Sequence, residues 1–503
     1  MTDSAAAPAA SASSPAPPDA PTGLKRGAIG LGGAVVMSAA LMGPAVSVYF
    51  NPQLVAAQAG AATPFVFALS MVASLIVANG IMEMARELPS AGAFYTYVSR
   101  GVGPRAGFVT GGLMFVAYAL LVPAELALMG SYAHDVLKQH GIDVPWVAVS
   151  LVAAAAMTLL SVRGIAGSIK TALIMFSAEV AVILVLSVVV LSKGGAHGLS
   201  AEPFNPARSL HGVSGIALGM VYGVLSFIGF EAAATLGEET RNPRRNVPRG
   251  LGYSLILVGA IYIFCTYAET IGFGTGDGDV AELADDPSPF VTLGQTFAPW
   301  LNLLIGLAGL SSIFAVTVNS NNGIVRILFA MGREGMLPRR LARVSPKLGT
   351  PVTTVLVQSG FAVVVTLLLG LWVGPFNTYA YLGAILTFGI IPVYWLTNIA
   401  CMRFFRAPSR RFNPLRHGVL PMLGILLMVI PVYGSVWPVP AAPYNWFPYA
   451  VLAYIAVLTT TAWVLGRRRP ELLSRTGEVL AGADEDEAAE ATAAAVTTKQ
   501  AGA

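Results

Sequence analysis

The chain has 503 residues, 55% hydrophobic and only 11% charged, with 30 Lys+Arg against 26 Asp+Glu for a net charge of +4. Soluble domains carry about 25% charged residues, so this composition, with a mean hydropathy of +0.69, excludes one and reads as an all-α polytopic membrane protein. The basic residues sit in short links between apolar runs, which excludes a nucleic-acid footprint, and Cys265 and Cys401 fall inside apolar runs and imply no disulfide framework.

In chain order, residues 1–24 are rich in Ala, Pro and Ser and read as a disordered tail. They lack the basic start and short apolar run of a secretory signal. A bilayer-crossing helix needs about 20 mostly apolar residues. Twelve runs qualify, at about 28–50, 63–85, 106–134, 146–162, 169–192, 212–236, 250–273, 296–322, 352–373, 378–402, 419–437 and 446–466. The first ten make a transport core over residues 25–405, and the last two occupy 406–469. Residues 470–503, Ala-rich with the run Asp484 to Glu487, read as a second solvated tail.

Lys and Arg set the orientation. One set of links holds Arg86, Arg100 and Arg105, then Arg163, then Arg241, Arg244, Arg245 and Arg249, then Arg326 to Lys347, Arg403 to Arg416, and Arg467 to Arg469. The alternate links hold little beyond Lys138, Lys193 and Arg208, and the one after the seventh run is acidic. Both termini are therefore expected in the cytoplasm, with the multi-pass chain in the cell membrane and the lipid bilayer as its solvent. An even number of crossings is required for that.

Two runs carry interruptions. The first contains Gly43-Pro44, and proline lacks the N–H and clashes with the preceding turn. The sixth contains Ser226 to Gly229, followed by Glu231. Interruptions in runs 1 and 6 imply repeats of five crossings. Five is odd, so the second repeat inserts upside down, the plan of many secondary transporters. A broken helix frees backbone groups that lipid cannot satisfy. A charged side chain at membrane depth costs at least about 2.5 kcal/mol and usually faces a cavity or a partner.

The chain resembles the amino acid–polyamine–organocation superfamily of permeases. The resemblance covers about residues 25–405 and rests on four motifs: Met42 to Val46; Glu83 to Tyr97; Ser226 to Glu231 with Glu238 to Pro243; and Arg326 to Pro338. It implies a leucine-transporter-like core of 5+5 inverted repeats with helices 1 and 6 broken, within twelve transmembrane helices. It also implies alternating access and amino acid or related amine substrates. The implied substrate contacts are Met42, Gly43, Pro44, Ala45, Val46 and Ser47 at the first break, and Leu225, Ser226, Phe227, Ile228, Gly229 and Phe230 at the second. Helix N-termini attract anions and C-termini attract cations, so the substrate carboxylate falls to the amides and its amino group to freed carbonyls. Relatives often have Gly-Ser-Gly or Gly-Thr-Gly at the first break. Here Gly43-Pro44-Ala45 lacks one N–H and one hydroxyl, with Ser47 as the nearest compensation, and an amine without a carboxylate is the alternative substrate.

Three carboxylates within apolar runs stand out as candidates. Glu231 matches a glutamate that gates and couples protons in the arginine–agmatine exchangers of the family; its other reading is a hydrogen bond bracing the broken helix. Glu179 falls near where sodium-independent members place a lysine, and can carry a proton or help bind a cation. Glu125 either faces the site or pairs with another polar group. Ser311, Ser312, Thr317 and Ser320 offer oxygens to sodium, but such hydroxyls more often bond backbone. Glu83, Arg86 and Glu87 end the second run, as a gate with Arg241 or Arg245 or as a solvated helix end. No cofactor or metal motif is read. A polytopic membrane enzyme is disfavoured because the acidic link at 274–290 has no histidine and no repeated Asp-x-Asp. The expectation is a secondary transporter, not an enzyme, with protons as the coupling ion and a polyamine or organic amine exchanger or uptake permease as the alternative.

Overall fold

The computed structural model describes residues 29–468, apart from 90–91, 165–168, 236, 238 and 334–336. The two expected tails lie outside the described residues, as does Glu238. The described chain is helical, and an isolated Ile29–Thr240 bridge is its only strand-like pairing among those residues.

The first rod is cut into α1 (Leu31–Leu41) and α2 (Pro44–Ala59). Gly43 turns the chain with φ 55° and ψ 71°, a left-handed conformation that glycine adopts without penalty. Pro44 then occupies the first position of α2, where its missing N–H sacrifices no helical bond. The helix runs past the expected end of the first apolar run near residue 50. Pro52 is accommodated inside α2, which runs on to Gly60 (φ 59°), and α3 (Thr63–Glu87) follows after one 3-10 turn.

The short α4 (Ala93–Gly101) leads into α5 (Pro104–Gln139), followed by α6 (Trp146–Val162) and α7 (Ile169–Ser192). The second interrupted rod is α8 (Gly212–Phe227) and α9 (Ala232–Thr235). The basic, proline-bearing segment after it is not a separate turn. It begins α10 (Pro243–Phe273), because Asn242 (φ 51°) turns the chain and Pro243 starts the helix. The acidic link folds into α11 (Asp277–Asp285) and α12 (Pro289–Phe297). Next come α13 (Asn302–Arg333), α14 (Val352–Val373), α15 (Pro375–Phe405), α16 (Leu420–Gly434) and α17 (Phe447–Arg468).

Among the described residues, ten helical stretches are long and apolar enough to cross a bilayer. The sequence reading expected twelve. Leu31–Glu87 runs the first two together in 57 residues, and Trp146–Val162 is apolar but shorter than the others. The apolar surface faces outward: α14 exposes Leu356, Val364, Leu368, Leu371 and Trp372, the last 80% exposed. Such a stripe is at home against lipid tails and not against water. This is a multi-pass membrane protein.

The two interruptions meet. A Cβ placed on Gly229 would lie 2.9 Å from both the carbonyl carbon and the oxygen of Leu41, and Gly229 has φ +112°. Only glycine fits on both counts. Gly229→Ala is expected to force the breaks apart, at a cost of roughly 1–3 kcal/mol from the backbone conformation alone. Gly252→Ala serves as control, since its Cβ would meet only Met82 Sδ at 3.5 Å. Thermal unfolding of both variants in detergent checks this: Gly229→Ala melts lower and Gly252→Ala does not.

Candidate functional site

At the first break the chain is short of helical hydrogen bonds, and neighbours supply part of the difference. The Met42 carbonyl accepts from Ser47 Oγ at 2.9 Å and from the Tyr262 hydroxyl of α10 at 2.9 Å. Ser47 N–H donates to Gly43 O at 2.9 Å. The amides of Ala45 and Val46 belong to the first turn of α2 and have no acceptor within their own helix. They form a short anion-attracting end, and Pro44 contributes no donor to it. The Ser47 hydroxyl does not replace that donor, because its proton is engaged by Met42.

At the second break Ile228 N–H donates to Leu225 O at 3.1 Å and Phe230 N–H to Phe227 O at 3.2 Å. Ser226 Oγ donates to Tyr222 O at 3.0 Å and accepts from Asn51 Nδ2 at 2.7 Å. Asn51 Oδ1 in turn accepts from the Tyr379 hydroxyl at 2.8 Å. One polar chain thus joins α2, α8 and α15. It explains why Asn51 sits in mid-helix: its side chain is spent across helices, not in a turn.

Glu231 is 1% exposed. Its Oε2 accepts from the Gly229 amide at 3.0 Å and from the Tyr394 hydroxyl at 3.4 Å, and its Oε1 accepts from the Tyr118 hydroxyl at 2.6 Å. It therefore closes the second break and ties it to α5 and α15. Glu179 is buried on α7 and accepts from Ser311 at 3.2 Å. Glu125 is buried on α5 with Oε2 lacking a partner. None of these carboxylates makes an ion pair among the described residues. Ser311 spends its proton on Glu179 and Thr317 on Ile313 O at 2.7 Å, while Ser312 and Ser320 lack partners.

Every residue from Met42 to Gln53 and from Leu225 to Glu231 is buried, so this conformation encloses both breaks. On the arginine-poor side Tyr49 stacks on Phe290 of α12 with ring centroids 4.8 Å apart, and Tyr132 packs edge-on to Phe50 at 5.1 Å. On the arginine-rich side Phe94 and Phe230 close around Tyr394.

The end of α3 pairs differently from expectation. Glu83 bonds Arg86 at 2.5 Å and His417 Nε2 at 3.2 Å, and Glu87 pairs with Arg410 at 3.2 Å. The partners come from the link between α15 and α16, not from Arg241 or Arg245. Sequence reading also passed over Glu269 on α10, which is fully buried with both carboxylate oxygens unpartnered. It lies inside the run read at 250–273, and the rule applied to the other three carboxylates would have found it. The tyrosines that serve Glu231 and Met42 gave no signal, because their partners are far off in sequence.

The amino acid permease family matches residues 33–467. The chain belongs to this family. It is a family of transporters, not of enzymes. Similar proteins include the branched-chain amino acid permease BcaP of Lactococcus lactis, 24% identical over 435 residues, which are 82% of this chain and 90% of the relative. The low-affinity putrescine importer PlaP of Escherichia coli is 25% identical over 392 residues, 74% of this chain and 80% of the relative. The aromatic amino acid transport protein AroP of Escherichia coli is 28% identical over 357 residues, 69% of this chain and 74% of the relative.

In this permease the Tyr118 hydroxyl is the shortest bond to Glu231. Tyr118→Phe removes a donor from a buried acceptor, an effect of about 1–3 kcal/mol. Tyr253→Phe is the control, since Tyr253 is 53% exposed. Unfolding in detergent is expected to show a loss for the first and none for the second.

Proposed function

We propose that this permease is a secondary active transporter that carries an amino acid across the cell membrane by alternating access, with protons as the coupling ion. The observation that carries the reading is the seating of Gly229 on the Leu41–Met42 backbone. It brings a helix N-terminus and the end of a second broken helix to one enclosed place, the arrangement that holds substrate in inverted-repeat transporters. In this reading the first break, Met42 to Ser47, and the second, Leu225 to Phe230, hold the substrate between them. The amides of Ala45 and Val46 take the carboxylate. Glu231 couples the second break to a proton, with Glu179 and Glu125 as further carriers.

The topology that fits has twelve crossings. Leu31–Glu87 crosses twice, and the short Trp146–Val162 crosses once. Two inverted repeats of five precede α16 and α17. Both termini are cytoplasmic, on the arginine-rich face. The relatives named for branched-chain, aromatic and putrescine substrates support an amino acid or amine as cargo. A second reading, uptake or exchange of an amine lacking a carboxylate, is favoured by one observation: Pro44 removes a donor and Ser47 does not replace it.

The test is labelled uptake into proteoliposomes, comparing pooled amino acids with pooled polyamines, each with and without an inward proton gradient. Amino acid uptake raised by the gradient supports the reading. Uptake of amines alone moves the assignment to the second. Glu231→Gln is expected to lower gradient-driven uptake in a protein that still inserts; unchanged uptake with unchanged pH dependence would remove Glu231 from the coupling.

Pro44→Ser restores one backbone donor. A hydrogen bond contributes about 0.5–1.5 kcal/mol, so apparent amino acid affinity is expected to rise roughly two- to tenfold. Competition with unlabelled amino acids measures this, and a weakened affinity would contradict carboxylate placement at the first break.

A further inference from the structure

Tyr262, Cys265 and Glu269 stand at i, i+3 and i+7 on α10 and so share one face. They span about 10 Å of helix axis. At one end Tyr262 reaches the first break, donating to Met42 O at 2.9 Å. Midway, Cys265 Sγ lies 4.0 Å from Ile183 O on α7. At the other end is Glu269, with no exposed surface and no partner for either oxygen.

Beyond Glu269, on the arginine-poor face, opens a vestibule of about 550 Å³ whose lining includes Asp135, Lys138, Glu282, Asp285, Asp286 and Ser288. Helices α11 and α12, which flank Asp286, pack against α10, where Gly272 lies against Leu293 one turn beyond Glu269. Asp286 is held in place by the Ser288 amide at 2.7 Å and the Thr292 hydroxyl at 2.6 Å. The Ser288 hydroxyl is buried and unpartnered. The vestibule thus gathers cations next to a carboxyl group that nothing in the protein satisfies.

A buried carboxyl kept for structure is paired with donors. Leaving one without them is costly, and apolar packing at the same place would cost less. Ionisable groups kept at membrane depth under those terms mark ion pathways. A metal ion needs several oxygen ligands at once, and Glu269 has no hydrogen-bonding neighbour among the described residues to share one with, whereas a lone carboxyl can take a proton by itself. The other ionisable groups around this end of α10 are Cys265 on the same helix, Tyr49 on α2, Tyr132, Asp135 and Lys138 on α5, Glu179 on α7, His197, and Asp279, Glu282, Asp285 and Asp286 of the α11–α12 region. Of the basic groups at the rim, Lys193 is engaged on Phe297 O at 2.6 Å, Arg208 on Glu202 at 3.3 Å and His197 on Asp279 at 3.3 Å, while Lys138 lines the vestibule among its carboxylates.

We propose that Glu269 is the outer proton acceptor of the transport cycle, loaded from the acidic vestibule and lying on a polar stripe that ends at the substrate break. One proton from water joins the carboxylate and the same proton leaves on the other side; no other bond changes. This role rests on the proton-coupled reading above.

The experiment uses the full chain in proteoliposomes, as wild type, Glu269→Gln and Glu269→Asp, each monodisperse on gel filtration. Labelled uptake is measured with and without an inward proton gradient, and as counterflow, while a trapped dye reports internal pH. The expected result is loss of gradient stimulation and of substrate-linked acidification in Glu269→Gln, relative to its own counterflow, with both retained in Glu269→Asp. Gradient stimulation of Glu269→Gln equal to wild type overturns the role and leaves the coupling intact. Counterflow and gradient-driven uptake falling by the same factor makes Glu269 structural and also overturns it. A wild type that the gradient does not stimulate overturns both the coupling and this role.

Discussion

Two helices are broken inside a membrane protein, and the contact between the breaks is the constraint around which the rest is arranged. Backbone groups freed at such a place have no water to turn to. Here each break meets part of its bonding through the surroundings. Tyr262 and Ser47 share the Met42 carbonyl, and Glu231 takes the Gly229 amide. The absence of a side chain at Gly229 lets one backbone lie directly on the other. Because α5, α10 and α15 all contribute groups to the breaks, the geometry there is set by most of the bundle.

The same bonds show why a functional carboxylate and a structural one are hard to tell apart in such a fold. Glu231 braces its break through three donors, and that is compatible with carrying a proton, since Tyr118 and Tyr394 present hydroxyls that can rotate. Glu269 is the contrasting case. It braces nothing, and its burial has no structural return.

Much of this was legible in the sequence. Gly43-Pro44 and Gly229 announced the breaks because glycine and proline act locally, through φ and a missing N–H. The apolar runs announced the helices because lipid imposes length. What the sequence hid was long-range. Asn51 is satisfied by Ser226 and Tyr379, 175 and 328 residues away. The partners of Glu83 were misassigned because several arginines share one face and only packing selects among them.

The small Ile29–Thr240 bridge has a mechanical consequence. Ile29 N–H donates to Glu239 O at 3.0 Å, and Arg241 N–H donates to Ile29 O at 2.8 Å. Ala233 N–H donates to Ser38 Oγ at 3.0 Å a little further in. The arginine-rich half of the first rod is thereby stitched to the corresponding half of the second. Three hydrogen bonds would have to break before one of these halves could move without the other, so in this conformation they form one body.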